Sequence, residues 1–168
     1  MRAALLAAAA LALGACAGAR PVQGRPSGRE GWLAYAVRDL RLEAPAAWRA
    51  SGDDRRLSLE APGGRARLEI TIPEPAFADE RACLAAAEAK LAEQQGALER
   101  ARRHPTRLGG RSAQTLEADQ GGWHVWALAA CDGGTQYRVF FTAATPASAE
   151  ALEAWKTFVQ TARIGGET

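Results

Sequence analysis

The sequence predicts an α+β domain: a mainly antiparallel, twisted sheet of about six to seven strands, with two amphipathic helices packed on it. Three observations carry this. Short stretches place apolar residues at every second position and are separated by Pro-Gly or Gly-Gly turn signals, the pattern of hairpins. Two longer stretches repeat apolar residues at spacings of three and four, the period of a helix. The elements then run strands, helix, strands, helix, so that strand–strand connections dominate.

The domain begins near Trp32. Residues 37–43 alternate Leu40 and Leu42 with Arg41 and Glu43, a half-buried strand that Pro45 ends, and Trp48 follows. Leu57 and Leu59 alternate with Arg56, Ser58 and Glu60 in a second strand. Pro62-Gly63-Gly64 turns the chain into a third strand over 66–72. There Ala66, Leu68, Ile70 and Ile72 face one way, and Arg67, Glu69 and Thr71 the other; Pro73 and Pro75 close it. Asp79 is placed to cap a helix over 79–95, rich in strong helix formers. Cys83, Leu84, Ala87 and Leu91 share its apolar face, and Gly96 supplies the stop.

Residues 98–107 are ambiguous and read best as a polar edge strand. Gly109-Gly110 turns into a strand over 112–118, and Gly121-Gly122 joins that to 123–131. This last strand has Trp123, Val125, Ala127, Ala129 and Cys131 on one face, and His124, Trp126, Leu128 and Ala130 on the other. Two apolar faces predict a central position in the sheet. Asp132-Gly133-Gly134 leads into a strand over 137–142. Thr145 as cap and Pro146 in the first turn open a final helix with a buried stripe of Leu152, Trp155, Phe158, Val159 and Ala162.

Length and composition bound the function classes. The chain has 168 residues, enough for one domain, with 48% hydrophobic and 24% charged residues, an ordinary globular balance. That excludes a fully disordered chain, a collagen and a multi-span membrane protein. A formal net charge of +2 is too small to argue for nucleic acid, and none is expected as a partner. Alanine makes up about a quarter of the chain and arginine far outnumbers lysine, which we read as genome composition.

Residues 1–15 read as an export signal. Met1-Arg2 is a short cationic start, 3–13 is apolar, and Gly14-Ala15 supplies small residues before a cut. The apolar run is too short to cross a hydrocarbon core of about 30 Å as a helix. Leu13-Gly14-Ala15-Cys16 resembles the lipobox of bacterial lipoproteins. That resemblance implies a lipid on the Cys16 thiol, cleavage that leaves Cys16 first, and anchoring to the membrane. The alternative is an ordinary cleaved signal with a chance cysteine. Ala17, where the usual sorting rule of such lipoproteins places an aspartate to retain the inner membrane, leans towards the outer membrane, facing the periplasm. Residues 16–31 are then the lipidated cysteine and a Gly-, Pro- and Arg-rich flexible tether, and 32–168 the single domain.

With Cys16 set aside, Cys83 and Cys131 remain. An even remainder in an exported protein predicts a disulfide, closing a loop of about 49 residues. Two separate buried thiols are the competing reading. No catalytic constellation emerges. There is no phosphate-cradling Gly-rich loop, no His-Glu-x-x-His and no Gly-x-Ser-x-Gly. His104 and His124 are too few and too isolated for a metal site, and no cofactor is expected. Adjacent Asp53 and Asp54 read as turn residues. The one uneven charge feature is Arg100, Arg102, Arg103, His104, Arg107 and Arg111. It is either a patch for an anionic partner or a solvated edge strand whose charge blocks stray pairing.

The element order resembles the PsbP-like and Mog-like (DcrB-like) superfamily. The marks are Pro45-Ala46-Ala47-Trp48, the hairpin over 56–72 followed by a helix, and Tyr137-Arg138-Val139-Phe140-Phe141-Thr142 leading to a final helix with Trp155, Phe158 and Val159. A strand-like end follows at Ala162-Arg163-Ile164. The resemblance implies a twisted antiparallel sheet between helices and an accessory role without a catalytic motif. The expectation is therefore a non-enzymatic, lipid-anchored envelope lipoprotein that acts as an accessory or protein-binding module for an envelope partner. The alternative is a carrier of a small apolar ligand, such as a lipid, in a pocket between helix and sheet.

Overall fold

A computed structural model describes residues 20–98 and 100–165. The export signal, Cys16 and Ala17 lie outside the described residues. The strands are β1 (Arg20–Pro21), β2 (Arg25–Pro26), β3 (Trp32–Val37), β4 (Leu40–Pro45), β5 (Arg49–Gly52), β6 (Arg56–Glu60) and β7 (Ala66–Thr71). Helix α1 (Glu80–Ala97) follows, then β8 (Arg102–Leu108), β9 (Arg111–Gln120), β10 (Trp123–Asp132) and β11 (Thr135–Ala144). Helix α2 (Ala149–Thr161) and β12 (Arg163–Ile164) end the fold.

Among the described residues the strands form two antiparallel sheets. The large one has eight strands in the order β1-β5-β6-β7-β11-β10-β9-β8, and the small one four in the order β12-β4-β3-β2. The class is α+β, as expected, but the strand number exceeds six to seven. β1 and β2 are each two residues long and β5 four, too short to show a period-2 pattern, and one expected strand is split into β3 and β4; β12, two residues long, lies at the strand-like end expected over 162–164.

Residues 20–31, expected within a flexible tether, instead lie on the domain. Arg20 and Pro21 pair with Gly52 and Ser51, and Arg25 and Pro26 with Ala34 and Leu33. Both segments are edge strands, where proline's missing N–H costs no ladder bond. Arg29 stacks over Trp32 at 4.9 Å and donates to Thr157 Oγ1 at 2.8 Å.

The expected strand over 37–43 is two strands. β3 and β4 form a hairpin with Val37 opposite Leu40, and Arg38 at its turn takes φ +50°. Arg38-Asp39 carries neither glycine nor proline, and Asp39 is the one turn-favouring residue there, a weak local signal. The hairpins after β8 and β9 turn on Gly109-Gly110 and Gly121-Gly122, all four at positive φ, as short primed turns require.

β10 lies between β9 and β11 and separates two cores. Trp126, Leu128 and Ala130 join the larger core, filled by α2, the small sheet and one face of the large sheet. Ala127, Ala129 and Cys131 join the smaller one, under α1. An aromatic stack ties α2 down. Trp155 lies 5.7 Å from Trp126, 5.4 Å from Phe141 and 5.7 Å from Phe158, centroid to centroid. Trp48, buried at one end, donates from Nε1 to Glu150 Oε1 at 3.0 Å.

Both helices depart from the sequence pattern in detail. Asp79 caps α1, accepting from the Ala82 N–H at 2.8 Å, but the helix runs through Gly96 to Ala97. Leu84 is 40% exposed and leaves the apolar face to Cys83, Ala87 and Leu91. Ser148, not Thr145, caps α2, and the Thr145 N–H instead donates to the Gly122 carbonyl at 2.8 Å. Its buried residues are Ala151, Ala154, Thr157 and Phe158, with Trp155 and Val159 at the margin. Leu152 is 46% exposed. The alanines let α2 settle close to the sheet, and Leu152 projects about 100° round from Ala151.

Phe158→Ala is expected to cost about 3–5 kcal/mol, and Leu152→Ala less than about 0.5 kcal/mol, in urea unfolding. Comparable losses at both positions would restore the stripe expected from sequence.

Candidate ligand cleft between helix α1 and the large sheet

The two faces of the large sheet are covered unequally. One is closed by α2 and the small sheet. On the other, α1 covers only the half built from β9, β10 and part of β11. A cleft of about 390 Å³ runs along the step between the helix flank and the open sheet. Its size falls in the range of small-molecule pockets, roughly 300–1,000 Å³. Ala87 and Leu91 form the helix wall, and Ala127, Ala129 and Phe140 the floor. Glu69, Thr71, Lys90, Gln94, Gln136 and Arg138 supply polar groups.

Strand alternation explains this lining. On β11, Tyr137, Val139 and Phe141 enter the larger core, so Gln136, Arg138 and Phe140 emerge on the α1 side. Register places Arg138 opposite Thr71 and Ala129.

Helix α1 is held by a covalent bond. Cys83 and Cys131 form a disulfide, with an S–S distance of 1.97 Å and Cα atoms 6.1 Å apart, between the first turn of α1 and the end of β10. Both cysteines are buried. Beside them, Gln136 is 1% exposed and donates from Nε2 to the Cys83 carbonyl at 3.2 Å, while its Oε1 accepts from Arg138 Nε. The amide has one workable orientation, since a carbonyl only accepts and a guanidinium only donates.

The other sequence candidates do not converge. On β8, Arg103 meets Glu88 of α1, whereas Leu108 enters the larger core. By alternation Arg107 shares the side of Arg103, and Arg102 and His104 take the opposite side. Arg107 donates to the Gly110 carbonyl at 3.4 Å, and Arg111 pairs with Asp132 at 3.0 Å. Arg100 is exposed before the strand. The five arginines are therefore spread over the turn before β8, the two faces of β8 and the start of β9, and two of them are paired with carboxylates. Asp53 is a turn residue, accepting from the Arg55 and Arg56 N–H groups at 2.8 Å each.

His124 has partners that the sequence reading missed. Nδ1 lies 2.6 Å from Asp119 Oδ1 and Nε2 2.8 Å from Glu117 Oε1. The Gly121-Gly122 turn dictates this, because it sets His124 directly opposite Asp119, with Glu117 on the diagonal. Both ring nitrogens are committed to protein carboxylates on different sides of the ring. Among the described residues no cluster of three His, Cys, Asp or Glu is arranged to hold a metal ion. Nor is any helix long and apolar enough to cross a membrane. Gln136 and Arg138 were also missed as site residues; their signal was the alternation of 136, 138 and 140 with the core residues between them.

No protein-family model matches the sequence, and no curated protein matches it. Solved structures do. The solution structure of cyanobacterial PsbP (CyanoP) from Synechocystis sp. PCC 6803 aligns over 90% of this chain and 98% of its own, at TM-score 0.56 and 12% identity. The fold is PsbP-like. A crystal structure from Bacteroides thetaiotaomicron VPI-5482 aligns over 82% of this chain at TM-score 0.57 and 10% identity. This chain spans about half of that protein, 49% of its length. At such identities the PsbP-like fold is what is shared, and no residue role is carried over.

Replacing Cys83 and Cys131 together by alanine is expected to lower stability by about 2–4 kcal/mol in chemical denaturation, through loss of the loop constraint. An unchanged midpoint would show that α1 is held by packing alone.

Proposed function

We propose that this protein is a non-enzymatic binding module of the bacterial envelope. A lipid on Cys16 anchors it facing the periplasm, at the outer membrane rather than the inner, and it takes a small apolar ligand in the α1 cleft. The observation that carries the binding reading is the cleft itself, an apolar floor and wall with polar groups at its margin. The anchor rests on Leu13-Gly14-Ala15-Cys16 and the compartment on the paired cysteines.

The accessory, protein-binding reading stands second. Its support is β8, the outermost strand on its side of the large sheet, with exposed Arg102 and Arg107. A free strand edge is a template for an extended partner. Crosslinking in intact cells separates the two readings. A stoichiometric envelope protein attached along 100–111 favours the second; a co-purifying small molecule without a protein partner favours the first.

Cells fed an alkynyl palmitate should label the wild-type chain and leave Cys16→Ala unlabelled in gels. Organic extraction of the purified wild-type protein should release an apolar small molecule in near-stoichiometric amount. Equal labelling of both chains would remove the anchor, and an empty extract would count against the carrier.

A further inference from the structure

The charged groups around the cleft differ in one respect. Glu69 is paired with Arg67 at 2.5 Å, and Lys90 with Glu93 at 2.8 Å. Arg138 has no carboxylate within ion-pair distance among the described residues; its one side-chain partner there is the neutral Gln136, on Nε. The Nη atoms remain, on a half-buried side chain that lines an apolar cleft.

Arg138 is held in place through a short chain of hydrogen bonds. The Cys83 carbonyl fixes the Gln136 amide, and that amide fixes Arg138 Nε. The Cys83–Cys131 bond in turn fixes the backbone that starts the chain. With Nε engaged, the two Nη atoms offer the end of the guanidinium fork, whose spacing matches the two oxygens of a carboxylate. Beside it lies an apolar strip of Phe140, Ala127, Ala129 and Leu91. The cleft volume of about 390 Å³ is near the low end for ligand pockets, which fits one alkyl chain and not two.

We propose that the α1 cleft binds a single-chain amphiphile with a carboxylate head, such as a medium-chain fatty acid, with the head on Arg138 and the chain between α1 and Phe140. This rests on the cleft-binding reading above and adds the class of ligand and its orientation. Arg138 is then the residue that discriminates acid from neutral ligands, and Gln136 is a positioning residue that acts through it.

The test uses the full chain in neutral phospholipid vesicles and two photoreactive probes, diazirine-tagged decanoate and diazirine-tagged decanol. Labelled peptides are mapped as probe concentration rises. In the unmutated protein the acid should label the peptides carrying Leu91, Ala127 and Phe140 at a half-saturating concentration at least about tenfold below that of the alcohol, the range expected for a charge-assisted hydrogen bond. Arg138→Met should erase that preference and leave labelling by the alcohol unchanged, which also reports that the variant is folded. Arg138→Lys should restore part of the preference. Equal half-saturation by acid and alcohol in the unmutated protein, with the cleft labelled, would overturn the carboxylate assignment and leave the cleft reading standing. Absence of cleft labelling by either probe would overturn both. The comparison within the unmutated protein decides the question even where Arg138→Met fails to fold.

Discussion

The interior of this fold depends on β10 being apolar on both faces. A strand has one covered face when its alternate residues are polar, and a single helix layer then suffices. Here Trp126, Leu128 and Ala130 need one cover, and Ala127, Ala129 and Cys131 need another. The chain meets both demands with unequal means. On one side α2 and the small sheet bring large aromatics, and Trp155, Phe141, Trp126 and Phe158 stack into a continuous block. On the other, α1 brings Cys83, Ala87 and Leu91. The first side is closed by burial. The second has too little apolar side chain to close in the same way.

That difference explains why the disulfide sits where it does. Helix α1 is rich in alanine and forms readily as a local structure, but its buried stripe is thin. Tertiary packing normally fixes such a helix, and here a covalent bond at its first turn shares that task. The bond leaves the flank further along α1 free of the need for dense packing. The cleft opens there, between Leu91 and Phe140. A cavity that would weaken a helix held by packing alone is tolerated when the helix is anchored by other means.

What was legible in the sequence follows the reach of local signals. β6, β7 and β11 announce themselves by alternation, β10 by an apolar run between two Gly-Gly turns, and those turns by the need for positive φ. The helices are legible as elements, but their rotation is not. Leu84 and Leu152 belong to the helical period, yet the aromatic stack and the disulfide set which arc faces inward, and both leucines turn outward. The hairpin at Arg38-Asp39 is hard to see because tertiary packing of Val37 and Leu40, both fully buried, holds a turn that its own residues specify only weakly. The segments β1 and β2 are proline- and arginine-rich, and only neighbouring strands make them strands. The site was half legible. The small floor of Ala127 and Ala129 can be read from β10, whereas Gln136 and Arg138 acquire meaning only through a carbonyl on a distant helix.

The arginines show how the fold sorts one residue type into different roles. Arg49, Arg67, Arg103 and Arg111 each meet a carboxylate near the surface, where such pairs contribute little to stability. Arg29 lays its guanidinium on Trp32 and secures the N-terminal segment against α2. Arg138 differs from all of these. Its neighbours are a neutral amide, a threonine on the adjacent strand and a cleft with an apolar floor, whose Glu69 and Lys90 are engaged by Arg67 and Glu93. Partial burial of a cation without an anion is unfavourable, and the one local demand on the side chain, a donor for Gln136 Oε1, is one that a neutral donor could also meet. A group kept at such a position is best stabilised when an anion arrives from outside. The same geometry that leaves Arg138 without a carboxylate partner among the described residues therefore supplies the attraction for a ligand that carries one.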